Sequence, residues 1–163
     1  MMKADWQNKK NKGFTLLETI VAVGLIVVGL VSALSLVVSS LFYITNVQDR
    51  LVTANLIAEG IEVVRNIRDN NWLGNQSWNN GLTDGDYQVA YDSTSLSSGS
   101  NPLLFDSNTG LYNYASGAPT SYVRIVSITN LSAYEIKVLS TVTWQRRGIT
   151  YNNSAEDHLF NWR

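Results

Sequence analysis

IVAVGLIVVGLVSALSLVVSSLFYI, Ile20 to Ile44, is the stretch on which the reading of this chain turns. It lies inside a longer run, Thr19 to Gln48, that holds no Asp, Glu, Lys or Arg over 30 residues. As an α-helix, Ile20–Ile44 rises about 38 Å, enough to cross a hydrocarbon core of about 30 Å. A buried core helix is the soluble alternative, but a small domain rarely needs so long an uncharged helix. A cleaved secretory signal has an apolar region of about 7–15 residues followed by a small-residue cleavage site. Here the run is longer, and Val47-Gln48-Asp49-Arg50 follows it. A signal-anchor helix fits.

On the N-terminal side, residues 1–13 set Lys3, Lys9, Lys10 and Lys12 against Asp5, a net charge of +3, while the remaining residues sum to −4. A short basic head before an apolar stretch orients a single-pass segment with that head in the cytoplasm. Everything after the stretch is therefore expected outside the cytoplasm, on an inner or cytoplasmic membrane.

On the C-terminal side the pattern turns amphipathic. Val47, Leu51, Ala54, Ala58, Ile61 and Val64 recur at spacings of three and four, which predicts a buried stripe on a continuing helix. Asp49, Arg50, Glu59, Glu62, Arg65 and Arg68 are expected on its solvated side, with Arg65 and Asp69 able to pair at i, i+4. No proline precedes Pro102, so nothing must break the helix before a stop near Asp69-Asn70-Asn71. From Phe14 such a helix measures roughly 85 Å, longer than a small domain is wide. A stalk carrying a head is expected.

The head reads as β. Strands are expected at Asp86–Tyr91, at Leu103–Phe105 and Leu111–Tyr114 around an Asp106–Gly110 hairpin turn, at Ser121–Thr129, at Tyr134–Gln145, and at Ile149–Tyr151 after the turn Arg146-Arg147-Gly148. Short connections favour antiparallel pairing. The fold class is α+β: a long N-terminal helix, half transmembrane and half amphipathic, packed on a small antiparallel sheet.

Composition narrows the function. The 163 residues are 45% hydrophobic and 15% charged, against about 25% charged in an ordinary soluble domain. With no cysteine, thiolate metal sites and Cys nucleophiles are excluded, and the single histidine, His158, has no second imidazole to join it. No nucleophile-elbow pattern is present. An enzyme is not expected, nor a cofactor or metal. Asp106-x-Asn108-x-Gly110 has part of a calcium-loop pattern without its later ligands, and a hairpin turn explains the same residues. Arg124, Arg146 and Arg147 could meet nucleic acid beside Trp or Tyr, but the acidic balance argues against it, and a solvated sheet face is the expected account. The C-terminal aromatics Phe160 and Trp162 are expected to pin the tail to the head.

One carboxylate stands out. Glu18 opens the apolar run in Lys12-Gly13-Phe14-Thr15-Leu16-Leu17-Glu18-Thr19. An acid in a first helical turn favours the helix dipole. An acid entering a bilayer also costs free energy unless it is paired. The residues alone leave both readings open.

This string resembles the N-terminus of type IV prepilins and type II secretion pseudopilins: a basic leader, a glycine, an aromatic residue, and a glutamate four residues later before a long apolar helix. Within the family, its wording is most similar to PilV-type minor pilins and pseudopilin I. The resemblance implies a leader of residues 1–13, with Lys9, Lys10 and Lys12 as its charges. A prepilin peptidase would cut between Gly13 and Phe14, and the Phe14 amine would be N-methylated. Glu18 would neutralise that ammonium on a neighbouring subunit and so set axial register. Residues 14–44 would then be the transmembrane and assembly half of the helix, 45–71 its amphipathic half, and 72–163 the head. The helix would exchange membrane lipid for other pilin or pseudopilin subunits. The absence of a helix proline and of a cysteine pair departs from many major pilins. The competing expectation is a membrane-anchored binding or adhesion module that keeps its leader.

Overall fold

The computed structural model describes Gly13 and residues 15–162. The expectations for Lys9, Lys10, Lys12 and Phe14 lie outside the described residues. The chain divides after Asn46 into two units, the second being Val47–Arg163. Helix α1, Leu16–Leu73, begins in the first and ends in the second.

In the first unit the backbone is helical from Leu16, and every side chain from Thr15 to Ile44 is exposed. Several hydroxyls bond inside the helix. Thr19 Oγ1 donates to the Leu16 carbonyl at 2.8 Å, Ser32 Oγ to Val28 at 2.8 Å and Thr45 Oγ1 to Phe42 at 3.0 Å. Such back-bonding lets polar side chains sit in an apolar helix without seeking water. The segment is long and apolar enough to cross a membrane.

In the second unit α1 buries one face, and it is not the expected stripe. Asp49, Thr53, Leu56, Ile57, Gly60, Ile61, Val63, Val64, Ile67 and Arg68 are buried. Val47 and Leu51 are each 63% exposed, and Ala54 and Ala58 are exposed as well. The expected stripe and the buried face meet only at Ile61 and Val64. Periodicity alone misjudged this face because two charged side chains, Asp49 near its start and Arg68 at its end, belong to it. Arg65 bonds Glu62 at 2.5 Å and Asp157 at 2.8 Å rather than Asp69, which takes Arg68 at 2.8 Å.

The helix also outruns its expected stop, ending at Leu73. Asn75 adopts a left-handed φ of 58°, its N–H donates to the Trp72 carbonyl, and that of Gln76 donates to Asn71. This pair of bonds is a Schellman cap, with Asn rather than the nearby Gly74 as the left-handed residue.

The rest is one antiparallel sheet: β1 (Gly85–Tyr87), β2 (Pro102–Asp106), β3 (Leu111–Asn113), β4 (Ala118–Ser132), β5 (Glu135–Arg146) and β6 (Ile149–Phe160). The order is β3-β2-β4-β5-β6, with β1 pairing β4. The architecture is thus α+β and type IV pilin-like. Along β5, Ile136, Val138, Ser140, Val142 and Trp144 alternate inward. Of these, Ile136, Val138 and Val142 join Val126 and Ile128 of β4 and Leu56, Ile57, Val64 and Ile67 of α1 in one core.

The largest departure from expectation is β6. Three residues were expected, yet twelve pair with β5, from Arg146↔Ile149 to Glu135↔Phe160. Asn152-Asn153-Ser154-Ala155-Glu156-Asp157 carries no alternating apolar signal because β6 is an edge strand, largely exposed. Its Trp162 tail does meet the unit: the Trp72 and Trp162 rings lie 4.6 Å apart, edge to face.

At Gly60 the helix backbone comes close to the sheet. A Cβ there would lie 2.7 Å from Ser140 Oγ, 3.1 Å from Val126 Cγ2 and 3.2 Å from Arg124 Cδ. Gly60→Val is therefore expected to destabilise the folded chain by about 1–3 kcal/mol through overpacking, read as a lowered denaturation midpoint. An unchanged midpoint would mean that helix and sheet are not in this contact.

Candidate processing and assembly site

Four residues define the start of α1. Thr15 is its N-cap: the Glu18 N–H donates to Thr15 Oγ1 at 3.3 Å, satisfying one of the first-turn donors that have no partner inside the helix. Leu16 and Leu17 follow, 78% and 73% exposed. Glu18 occupies the third helical position with its carboxylate exposed, where the positive end of the helix dipole favours an anion. Thr15-x-x-Glu18 has the spacing of a capping box, a signal present in the sequence that the reading of Glu18 alone passed over.

Gly13 lies just outside the helix and is exposed. Among the described residues, a Cβ at Gly13 would meet nothing within 4 Å. The model of the prokaryotic N-terminal methylation motif matches residues 8–34. This methylation motif spans Gly13, Thr15 and Glu18 and runs into the exposed apolar helix. Comparisons with curated proteins and with solved structures found no match.

Beyond the methylation motif, the second unit also buries charged side chains, Asp49 and Arg124 among them. Asp49, the first charge after the apolar run, is 3% exposed. Arg146 of β5 grips it through Nε at 2.5 Å and Nη2 at 2.7 Å, and the Tyr122 hydroxyl of β4 donates to it at 2.9 Å. Burial pushes the Asp49 carboxyl up. The bonds from Arg146 and Tyr122, with the guanidinium charge, outweigh that and hold it below its usual value. The Tyr122 hydroxyl is pushed up by burial and by the same carboxylate.

Arg124 is fully buried rather than on a solvated sheet face. It donates to the Leu56 carbonyl at 2.9 Å, to Glu59 Oε1 at 2.7 Å and to the Val89 carbonyl. Its guanidinium is thereby enclosed by oxygens of α1 and of the segment after β1. Asp106 serves the β2–β3 hairpin: its carboxylate accepts the Asn108 N–H at 2.9 Å, and Gly110 supplies φ 73°. His158 sits between Glu135 at 2.7 Å and Glu156 at 3.1 Å, and their hydrogen bonds raise its pKa.

The depressed Asp49 carboxyl ties stability to acid. Its contribution is fully present above the unfolded value of about 3.9 and is lost as pH falls through the lower folded value. Asp49→Asn is expected to cost about 1–3 kcal/mol at neutral pH, with the gap from wild type closing on acidification. A gap that stays constant from neutral pH down through that range would remove the pair from the stability of this unit.

Proposed function

We propose that this chain is a structural subunit rather than an enzyme: a minor pilin or pseudopilin of a type IV pilus or type II secretion-like filament. It is made as a membrane-anchored precursor, trimmed after Gly13 by a prepilin peptidase, methylated at Phe14 and assembled through its N-terminal helix with other pilin subunits. The observation that carries this reading is the methylation motif at residues 8–34 running directly into an apolar helix with no cover among the described residues.

Each residue has one task. Gly13 gives the peptidase access to the bond it cuts, on the cytoplasmic side where Lys9, Lys10 and Lys12 hold the leader. Cleavage turns the Phe14 nitrogen into an ammonium. In the water-poor centre of a filament, Glu18 of the neighbouring subunit neutralises it. A buried charge left alone there is expensive, whereas a paired one is tolerated, so this pair selects one axial step over others.

The mature chain is expected to begin at N-methylated Phe14, as read by intact mass or N-terminal sequencing of filament material. Gly13→Val should leave a larger, uncut form. Since a Cβ at Gly13 meets no described atom within 4 Å apart from its chain neighbours, loss of cutting reports the peptidase and not misfolding. Met1 retained in an assembled or working form would instead support an anchored binding module.

Glu18→Ala is expected to insert and be cut normally yet fail to assemble. Leaving a buried ammonium unpaired costs about 3–5 kcal/mol, a fall of more than about a hundredfold in incorporation, measured in the sheared filament fraction. Normal incorporation would take Glu18 out of the assembly step.

A further inference from the structure

A cavity of about 380 Å³ opens in the second unit between the segment after β1 and the β2–β3 hairpin. Its size falls within the range of small-molecule sites, about 300–1,000 Å³. The segment contributes Tyr91, Asp92 and Ser93 to the lining, and the hairpin contributes Asp106, Thr109 and Asn113. None of the described residues that line it is Lys, Arg or His.

The walls are held by bonds that leave one end of each polar group open. Asp106 accepts the Asn108 N–H through Oδ1 at 2.9 Å, which leaves Oδ2 as an acceptor. Asn113 accepts the N–H groups of Ala115 and Ser116 through Oδ1, each at 2.8 Å, which leaves Nδ2 as a donor. Ser93 Oγ accepts the Ala90 N–H at 2.8 Å and keeps its own proton to donate. Across the base of that segment, the Gln88 N–H donates to the Ser97 carbonyl at 2.8 Å and Ser97 Oγ donates to the Gln88 carbonyl at 3.0 Å. In the hairpin register Asp106 faces Leu111 and Leu104 faces Asn113. Asp106 and Asn113 are therefore diagonal neighbours on one face, about 7–8 Å apart. An acceptor and a donor stand ready with little further ordering required.

The chemistry of this set selects an uncharged ligand. An anion would meet Asp92 and Asp106 with no cation to receive it. Among the described residues no three of His, Cys, Asp or Glu come together to hold a metal ion. Neighbouring hydroxyls on a ring fit, since each can donate to a carboxylate while accepting from an amide or another hydroxyl. Tyr91, 45% exposed, adds an aromatic surface for the C–H side of such a ring. We propose that this cavity binds a neutral pyranose sugar, with Asp106 and Asn113 as its hydrogen-bonding pair. Binding here does not depend on assembly through the N-terminal helix.

The test uses the full chain in phosphatidylcholine vesicles, which carry no sugar headgroup, and saturation-transfer NMR with three probes: methyl α-mannoside, methyl β-galactoside and methyl β-glucoside. At least one should bind with a Kd on the order of 1 mM, about what a ligand of roughly 13 heavy atoms gains at ordinary efficiency. Asp106→Asn and Asn113→Asp each keep the oxygen that closes their turn and invert the open end. Each should weaken binding at least about tenfold, the usual effect of losing a hydrogen bond to a charged group or of opposing two acceptors. Unchanged denaturation midpoints confirm that the hairpin stands. Tyr91→Ala, on the other wall, should also weaken binding and gives a reading independent of the hairpin.

No transfer to any of the three probes overturns the proposal, as does binding that Asp106→Asn, Asn113→Asp and Tyr91→Ala all leave unchanged. Tyr134, 68% exposed, does not line the cavity. An equal loss in Tyr134→Ala overturns the proposal in favour of general contact with exposed aromatics. Binding of glucosamine without any of the neutral probes overturns it in favour of a cation held by the carboxylates. Displacement of a bound probe by a soluble polysaccharide of the same sugar supports a residue within a glycan, and displacement by the free sugar alone supports a monosaccharide.

Discussion

From Leu16 to Ile44 the helix backbone is bonded within itself, hydroxyls such as those of Thr19 and Ser32 back-bond to its carbonyls, and the apolar side chains stay exposed. Each Leu, Ile, Val or Phe gains about 1.5–3 kcal/mol on leaving water. Over such a length that demand exceeds the net stability of a typical domain, about 5–15 kcal/mol. The segment thus needs an apolar surrounding from outside the described chain, and lipid and the same helix of other subunits both supply one. A protein that exchanges the first for the second has to specify where the exchange stops, because apolar packing is non-directional. In the proposed assembly, the acid at the start of the helix, Glu18, would set that register.

The second unit meets the opposite problem, charge inside a small core. Asp49 and Arg124 would each be costly alone, and each is enclosed by partners from distant parts of the chain. Asp49 ties the first turns of α1 in this unit to both β4 and β5. Arg124 ties the middle of the helix to β4 at the place where Gly60 lets the two come close. These clusters act as fixed points between which the apolar rows of β4 and β5 settle against Leu56, Ile57, Val64 and Ile67.

How much was legible depended on whether a signal was local. The apolar run, the β2–β3 hairpin and the Val- and Ile-rich central strands announce themselves over short windows, and the structure has them. The buried stripe of α1 was misplaced because it was drawn through Val47, Leu51, Ala54 and Ala58, the residues that look most apolar, whereas the face that turns inward begins with a carboxylate. Strand β6 was read as three residues because an exposed edge strand made of Asn, Ser, Glu and Asp has no alternation to show. At the N-terminus, Gly13 and Glu18 stood out by type and spacing, while Thr15 was overlooked as a cap.

Local chemistry therefore determined, without any coordinates, that a charge-free helix follows a basic head, that an acid guards its entrance, and that a β-rich portion comes after. Those features depend on residue type and on neighbours a few positions away. Which side of the helix faces the sheet, how far the last strand extends, and that Arg124 is buried while Leu51 is exposed were decided only by tertiary structure. Pairing across 68 residues from Arg124 to Leu56, or 97 from Arg146 to Asp49, depends on partners that no short window contains.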